Sequence, residues 1–342
     1  MIYWLPLELL DKRYTKLTRK WITDEFKKQT ADFEIIEGTQ LTSEIKTGSF
    51  LDVFGTNYYK STQIQKVSEL FNNGIIENND VFFIDDIWMP GISAIKYMAN
   101  MSNINVKICG MYHAGSHTPS DDVAVKIGRN NWVKYFEKSI LMMCDLVFVG
   151  SEFHKSEIEN YHKNIFDNII VTGLPFNPLD IVKDITLRKW YNKENIVLFP
   201  HRNHPEKQPE LFDKIEKVVK AKRPDIKFIK TLDLNLSKKE LYQLMNKSKV
   251  MFSAALQENY GYATLECSTF GCNLVLPNRL VYKEFYTKDC LYDNNNIEML
   301  SNLIIDKIDE ENVLIQPIVM FLAKSVERIV YNIKELKKMV II

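Results

Sequence analysis

Residues 250–277 read VMFSAALQENYGYATLECSTFGCNLVLP. An apolar run at 250–253 is followed by a loop carrying Glu258, Asn259, Tyr260 and Gly261. A helical pattern fills 262–270, Gly271 stops it, and a second apolar run occupies 273–276. Continuous apolar runs of this length, with no polar alternation, suit strands covered on both faces. The order strand, loop, helix, glycine, strand is therefore one βαβ unit of a parallel sheet. Its loop presents backbone N–H groups at a helix N-terminus, a position that favours anions. Gly261 lets that backbone come close to a phosphate. Glu266 stands eight residues after Glu258, inside the helix.

The same alternation extends in both directions. Toward the N-terminus, strands are expected at 2–7, 33–36, 81–84, 106–111, 146–149 and 169–171. Helices are expected at 16–28, 62–71, 93–101, 131–143 and 151–161. Gly173, Pro175 and Pro178 then mark a linker. Beyond it strands are expected at 196–199 and 226–229, with helices at 210–220 and 238–246. Ser237 and Glu240 form a capping-box pattern before the second helix. One amphipathic helix is expected at 317–338. The fold class is α/β, with two Rossmann-like doubly wound domains at 1–175 and 176–316. Residues 317–342 form a helix returning to the first. In such folds ligands bind at the carboxyl ends of the strands.

The 342 residues are 46% hydrophobic and 26% charged, with a formal net charge of zero. That balance suits two globular cores and gives no bulk electrostatic case for non-specific nucleic-acid binding. Cys109, Cys144, Cys267, Cys272 and Cys290 show no paired CxxC spacing, so reduced core thiols and a cytoplasmic location are expected. Residues 1–10 are too short an apolar run for a secretory signal, and no run approaches ~18 apolar residues.

Three further segments carry chemistry. After the strand at 196–199 comes Pro200-His201-Arg202-Asn203-His204-Pro205-Glu206-Lys207. Arg202 and Lys207 supply fixed positive charge where a phosphate leaving group would develop negative charge. After the strand at 106–111 comes Tyr112-His113-Ala114-Gly115-Ser116, followed by His117, Asp121 and Asp122. Asp85 and Asp86, with Trp88 behind them, end the strand at 81–84; they either meet an acceptor or act as a base, or cap the segment that follows. After the first strand, Asp11, Lys12, Arg13 and Tyr14 offer charge and an aromatic ring, either to an acceptor or to solvent.

The segment 258–276 resembles the Glu-x7-Glu motif of retaining GT-B glycosyltransferases, of the family 4 type. Glu258, Tyr260, Gly261, Leu265, Glu266, Gly271 and the apolar run Leu274 to Leu276 follow that pattern in order. The resemblance implies that Glu258 faces a donor sugar and Glu266 the nucleotide ribose. It implies that Arg202 and Lys207 hold the donor diphosphate, with Asn259, Tyr260 and Gly261 completing the donor site. It implies that His113 touches the sugar or the acceptor. Arg13, Asp85, His117 and Asp121 are the acceptor-side candidates. The family usually has Gly before its Arg and after its Lys; His201 and Gln208 stand there instead. The loop after the first strand also lacks the family's glycines. The opening of the chain resembles glycosyltransferases encoded by tailed phages, some of which glucosylate hydroxymethylated DNA bases.

The expected activity is thus retaining transfer from a nucleoside-diphosphate sugar, with no metal and no cofactor beyond that co-substrate. The acceptor is a modified DNA base or a glycan. A sugar-nucleotide isomerase and a silent binding module remain alternatives on the same fold. His113 with His117, and His201 with His204, lack helical context and further ligands for a metal site. There is no P-loop, no GxGxxG after a strand and no Ser nucleophile elbow.

Overall fold

The structure is a computed structural model and describes residues 1–9, 14–41, 52–89, 91–311 and 316–339. Arg13, one of the acceptor-side candidates, lies outside the described residues. Two compact units result: 1–176 with 324–342, and 177–323.

The first unit runs β1 (Ile2–Leu5), α1 (Thr15–Lys28), β2 (Phe33–Ile35), α2 (Val53–Asn72), β3 (Val81–Ile84), α3 (Ile92–Met101) and β4 (Lys107–Met111). It continues through α4 (Asp122–Ile127), α5 (Trp132–Met143), β5 (Leu146–Val149), α6 (Glu152–His162) and β6 (Ile169–Val171). All pairings are parallel, in the order β2-β1-β3-β4-β5-β6. Alternate strand residues divide the core. Tyr3, Leu5, Phe82, Ile84, Ile108 and Val147 share one face with Val67, Ile92, Ile95, Ile140 and Leu141 of α2, α3 and α5. Trp4 and Phe83 point to the other face and meet Phe26 of α1 edge-on. Each such buried ring contributes about 1.5–3 kcal/mol relative to exposure.

The second unit runs α7 (Pro178–Val182), β7 (Glu194–Phe199), α8 (Pro209–Lys222), β8 (Lys227–Lys230), α9 (Lys238–Lys247), β9 (Ser248–Phe252) and α10 (Tyr262–Thr269). Then follow β10 (Asn273–Pro277), α11 (Tyr282–Phe285), β11 (Leu291–Tyr292), α12 (Ile297–Asp309) and α13 (Pro317–Leu322). Its sheet is also parallel, ordered β11-β10-β9-β7-β8. Val197, Phe199, Val250, Phe252 and Val275 pack on Phe212, Ile215 and Val219 of α8 and on Leu300, Ile304 and Ile308 of α12. In both sheets the strand order reverses once: between β1 and β3, and between β7 and β9. In open α/β sheets the carboxyl ends of the strands at such a reversal are where ligands bind.

Several sequence expectations shift. The first strand ends at Leu5, because Leu7 N–H turns to bond Asp85 Oδ2 at 3.1 Å. The helix expected at 62–71 extends over Val53–Asn72. The terminal helix is divided into α13 and α14 (Ser325–Lys338). At the break the buried Ser325 hydroxyl accepts from Phe176 N at 3.1 Å, and Arg328 donates to Thr172 O. α14 packs on α1, β3 and β4 and buries Ile329, Val330, Ile333 and Leu336. The helix α12 was not among the expected elements, although it covers one face of the second sheet.

Ser237 and Glu240 form the reciprocal capping box at the start of α9. We expect Ser237→Ala to lower stability by about 1 kcal/mol, read as a shifted urea midpoint at unchanged slope.

Candidate functional site

At the reversal between β7 and β9 in the second unit, the loops that leave the two strands are stitched together. The loop after β7 closes in a tight turn, Pro205–Lys207. Leu256 N donates to Glu206 O at 2.7 Å, and Gln208 Nε2 donates to Ala254 O at 2.5 Å. Lys207 is 6% exposed, and its ammonium donates to Gln257 O at 2.5 Å and to Glu258 Oε2 at 3.3 Å. A cation this far out of water needs such partners, since desolvation of an ammonium costs several kcal/mol. Gln208 adopts φ +54°, the left-handed region that glycine takes most easily. The loop thus has the shape a glycine would give it, and the Gln208 side-chain bond offsets the backbone cost.

Glu258 spans the second loop. Its Oε1 accepts from Gly261 N at 3.0 Å while Oε2 faces Lys207. Gly261 has φ +81° and is the residue from which α10 starts. A side chain there would be strained by the backbone, and its Cβ would lie 3.5 Å from Glu258 Cγ. Asn259 and Tyr260 are buried beneath the loop, with the Tyr260 ring edge-on to Tyr262 and Phe285.

Arg202 donates to Glu206 Oε1 at 2.5 Å, and Lys207 lies 3.8 Å from the same oxygen. Glu206 is therefore a member of this cluster that sequence reading passed over, although its spacing four residues from Arg202 is visible. Burial, with Lys207 and Arg202 nearby, drives the pKa of His201 well below the usual imidazole value, so His201 is neutral. Glu266 belongs to a second group. It is 6% exposed, and its Oε1 accepts from Lys238 Nζ at 2.6 Å and Tyr242 Oη at 3.0 Å. Lys238 and Tyr242 come from α9, and no local motif links them to Glu266.

The described acceptor-side candidates Asp85, His117 and Asp121, together with His113, lie in the first unit. Asp85 is 4% exposed and accepts from Trp4 Nε1 at 2.6 Å and Leu7 N at 3.1 Å. Burial raises its pKa to about 6 despite those bonds. It braces β1 against β3. Asp121 is the N-cap of α4, accepting from Val123 N at 2.9 Å, and is also buried. His117 is buried with its Nε2 3.1 Å from Nε2 of His154, the rings stacked at 5.0 Å. Asp85 and Asp121 are thus engaged by indole and backbone N–H donors inside the unit, whereas His117 Nδ1 is buried without a hydrogen-bond partner. His113 differs: it is half-buried at the carboxyl end of β4, with Nε2 2.7 Å from Asp85 O. Burial lowers its pKa below the usual imidazole value.

The His113 loop is held by a carboxylate the sequence did not mark. Glu137 is 1% exposed and accepts from Ser116 N at 2.6 Å, Ser116 Oγ at 2.5 Å and Trp88 Nε1 at 2.9 Å. Gly115 is required beside it, since a Cβ would lie 2.1 Å from Tyr112 Oη and 2.6 Å from Glu137 Oε1. Among the described residues, no three His, Cys, Asp or Glu side chains are grouped to hold a metal ion. Among them, too, no helix is long and apolar enough to cross a membrane.

No family model matches the chain. A local match covers 62 residues at 36% identity with a tRNA-queuosine alpha-mannosyltransferase of Drosophila melanogaster, 18% of this chain and 16% of that protein. Among solved structures, a sucrose-phosphate synthase from Thermosynechococcus elongatus superposes with a TM-score of 0.65 at 11% identity, over 98% of both chains. A single-residue mutant of S. aureus TarM, in complex with Fondaparinux, alpha-GlcNAc-glycerol and UDP, gives a TM-score of 0.54 at 17% identity. That match covers 80% of this chain and 58% of TarM, so the chain spans little more than half of that relative. A complex of GtfA and GtfB gives 0.56 at 13% identity over 81% of this chain and 61% of theirs. The fold is the GT-B fold of these glycosyltransferases, α/β with two parallel sheets.

The His117–His154 pair has a consequence for stability. Burial holds His154 down to about 3 and His117 well below the usual value, with His154, His162 and Arg129 adding to the effect on His117. Both are neutral when folded but take up protons near pH 6.5 when unfolded. Stability is therefore full above that pH and falls as pH drops toward the folded values, by up to about 1.4 kcal/mol per pH unit for each histidine. Four of the five tryptophans, Trp4, Trp21, Trp88 and Trp132, are in the first unit. Urea unfolding followed by their fluorescence should show a lower midpoint at pH 5 than at pH 7.5, and His154→Gln should flatten the dependence.

Proposed function

We propose that the chain transfers a sugar from a nucleoside-diphosphate sugar to an acceptor with retention at the anomeric carbon. The observation that carries this is the buried Lys207 ammonium, held between Gln257 O and Glu258 at the reversal point of the second sheet. A diphosphate is the ligand whose charge suits Lys207 and Arg202 at the start of a helix. Its oxygens would take the place now held by Glu258 and Glu206. Glu266, its Oε1 fixed by Lys238 and Tyr242, accepts from the ribose hydroxyls through the remaining lone pairs. Glu258, released from Lys207, is left to meet the sugar.

In the transfer, the bond between the anomeric carbon and the phosphate oxygen breaks with its electron pair going to the phosphate. The acceptor oxygen bonds to the same face of that carbon, and its proton passes to the departing phosphate oxygen. Arg202 and Lys207 stabilise the charge gathered there, so the scheme uses no metal and no cofactor. His113 keeps the role the resemblance implies, a contact to sugar or acceptor.

For the acceptor we infer a nucleic-acid base, of which hydroxymethylated phage-type DNA is the leading case. Support comes from the local match to an enzyme whose name places its acceptor in tRNA. A glycan acceptor is the second reading, favoured by the glycan-bearing TarM complex.

Purified protein, a panel of UDP- and GDP-sugars, and both acceptor classes provide the test. Lys207→Ala should lower kcat/KM about a hundred-fold or more. Glu266→Ala should act mainly through the donor KM. Undiminished turnover in both Glu266→Ala and Arg202→Ala would overturn the site assignment.

A further inference from the structure

We infer that the outward face of α5, with the turn leading into it, is a docking surface for a nucleic-acid strand. The inference deepens the nucleic-acid reading of the acceptor and rests on it.

Residues 123–143 contain Lys126, Arg129, Lys134 and Lys138 against a single acid, Glu137, in a chain whose net charge is zero. Glu137 is 1% exposed and turned inward onto Ser116 and Trp88. The charged side chains this stretch leaves at least partly exposed are therefore cations, with Arg129 and Lys134 lying over the Tyr161 ring. α5 buries Val133, Glu137, Ile140 and Leu141. At 3.6 residues per turn the opposite side carries Trp132, Tyr135, Lys138, Ser139 and Met142, while the half-buried Lys134 lies on the flank with its ammonium 4.7 Å from the Tyr161 ring centroid.

Two large rings stand on that side, Trp132 at 54% and Tyr135 at 75% exposure. Trp132 is set in orientation by Phe136 at 5.8 Å, which in turn meets Trp88 at 5.1 Å. Aromatic rings held rigid beside cations suit bases that stack and phosphates that pair. α5 follows β4 by way of α4 and leads into β5, so its first turn stands at the carboxyl edge of the sheet, where His113 lies. Arg129 ties the two together, donating to Ser116 O at 3.1 Å and His117 O at 2.9 Å with its guanidinium over Tyr161. A helix that lies in lipid instead keeps its ammonium groups off the apolar side. Here Lys138 and Ser139 share the outward face with the rings.

Fluorescence anisotropy of the full chain with labelled single-stranded and duplex DNA, over a range of salt concentrations, tests this. Binding should weaken with salt, and Lys126→Ala/Lys138→Ala should reduce the log–log salt slope by about 2. Trp132→Ala/Tyr135→Ala should weaken binding roughly ten-fold or more at an unchanged slope. These side chains are at least partly exposed, so unfolding midpoints should not move, and that measurement identifies any variant that has misfolded. Absence of saturable binding, or the same affinity and slope in both variants, would overturn the inference. So would partition onto anionic phosphatidylglycerol vesicles without oligonucleotide binding. Thermal shift with UDP- and GDP-sugars separates the two levels. Oligonucleotide binding without any sugar-nucleotide stabilisation fells the transferase reading alone, and donor stabilisation without oligonucleotide binding fells the docking surface alone.

Discussion

The second unit is organised around an ammonium group that has been taken out of water. Lys207 is held by one carbonyl and one carboxylate, both from the loop after β9, while Lys207 itself comes from the loop after β7. These loops leave adjacent strands where the sheet reverses direction. Beyond the single turn Pro205–Lys207 the loops have no regular structure, and they are held by bonds between them: Leu256 to Glu206, Gln208 to Ala254, Lys207 to Gln257. A buried ion pair contributes little net stability once desolvation is counted. Its cost is easier to understand as the maintenance of a cationic site ready for an anion. Glu258 occupies that site's partner position and stays at the backbone of Gly261, the place from which a helix N-terminus looks outward.

The first unit follows the same physical rule with a different result. Its carboxylates at the strand ends are turned into the protein. Asp85 joins β1 to the loop after it, Glu137 fixes the His113 loop, and Asp121 caps a helix. What α5 turns toward solvent includes the cation Lys138 and the rings of Trp132 and Tyr135. A neutral chain can thus present a local surface of one sign by burying the opposite charges as structural hydrogen-bond acceptors.

Much of this was legible in the sequence. Continuous apolar runs alternating with helical periodicity suit strands of a covered parallel sheet, so the α/β class and most strand positions followed from the pattern, although the two-residue strand β11 did not. Strands 81–84 and 169–171 and the capping box at Ser237 are local features and needed no tertiary information. The loop of Glu258 and Gly261 was legible for the same reason, since a glycine at a strand–helix junction has few other uses. The division of the terminal helix was not legible, because it depends on Ser325 and Arg328 meeting backbone groups near residue 174, some 150 positions earlier.

Residue types and local spacing therefore determined which segments are strands and helices, and where cations and glycines stand at their ends. Only the tertiary structure decided which way the polar side chains face. Asp85 and His117 look like surface chemistry in sequence, and packing turns them inward. Lys238 and Tyr242 look like ordinary helix residues, and packing brings them to Glu266. Burial and partnership are set by contacts between distant segments, and local periodicity carries no information about those contacts.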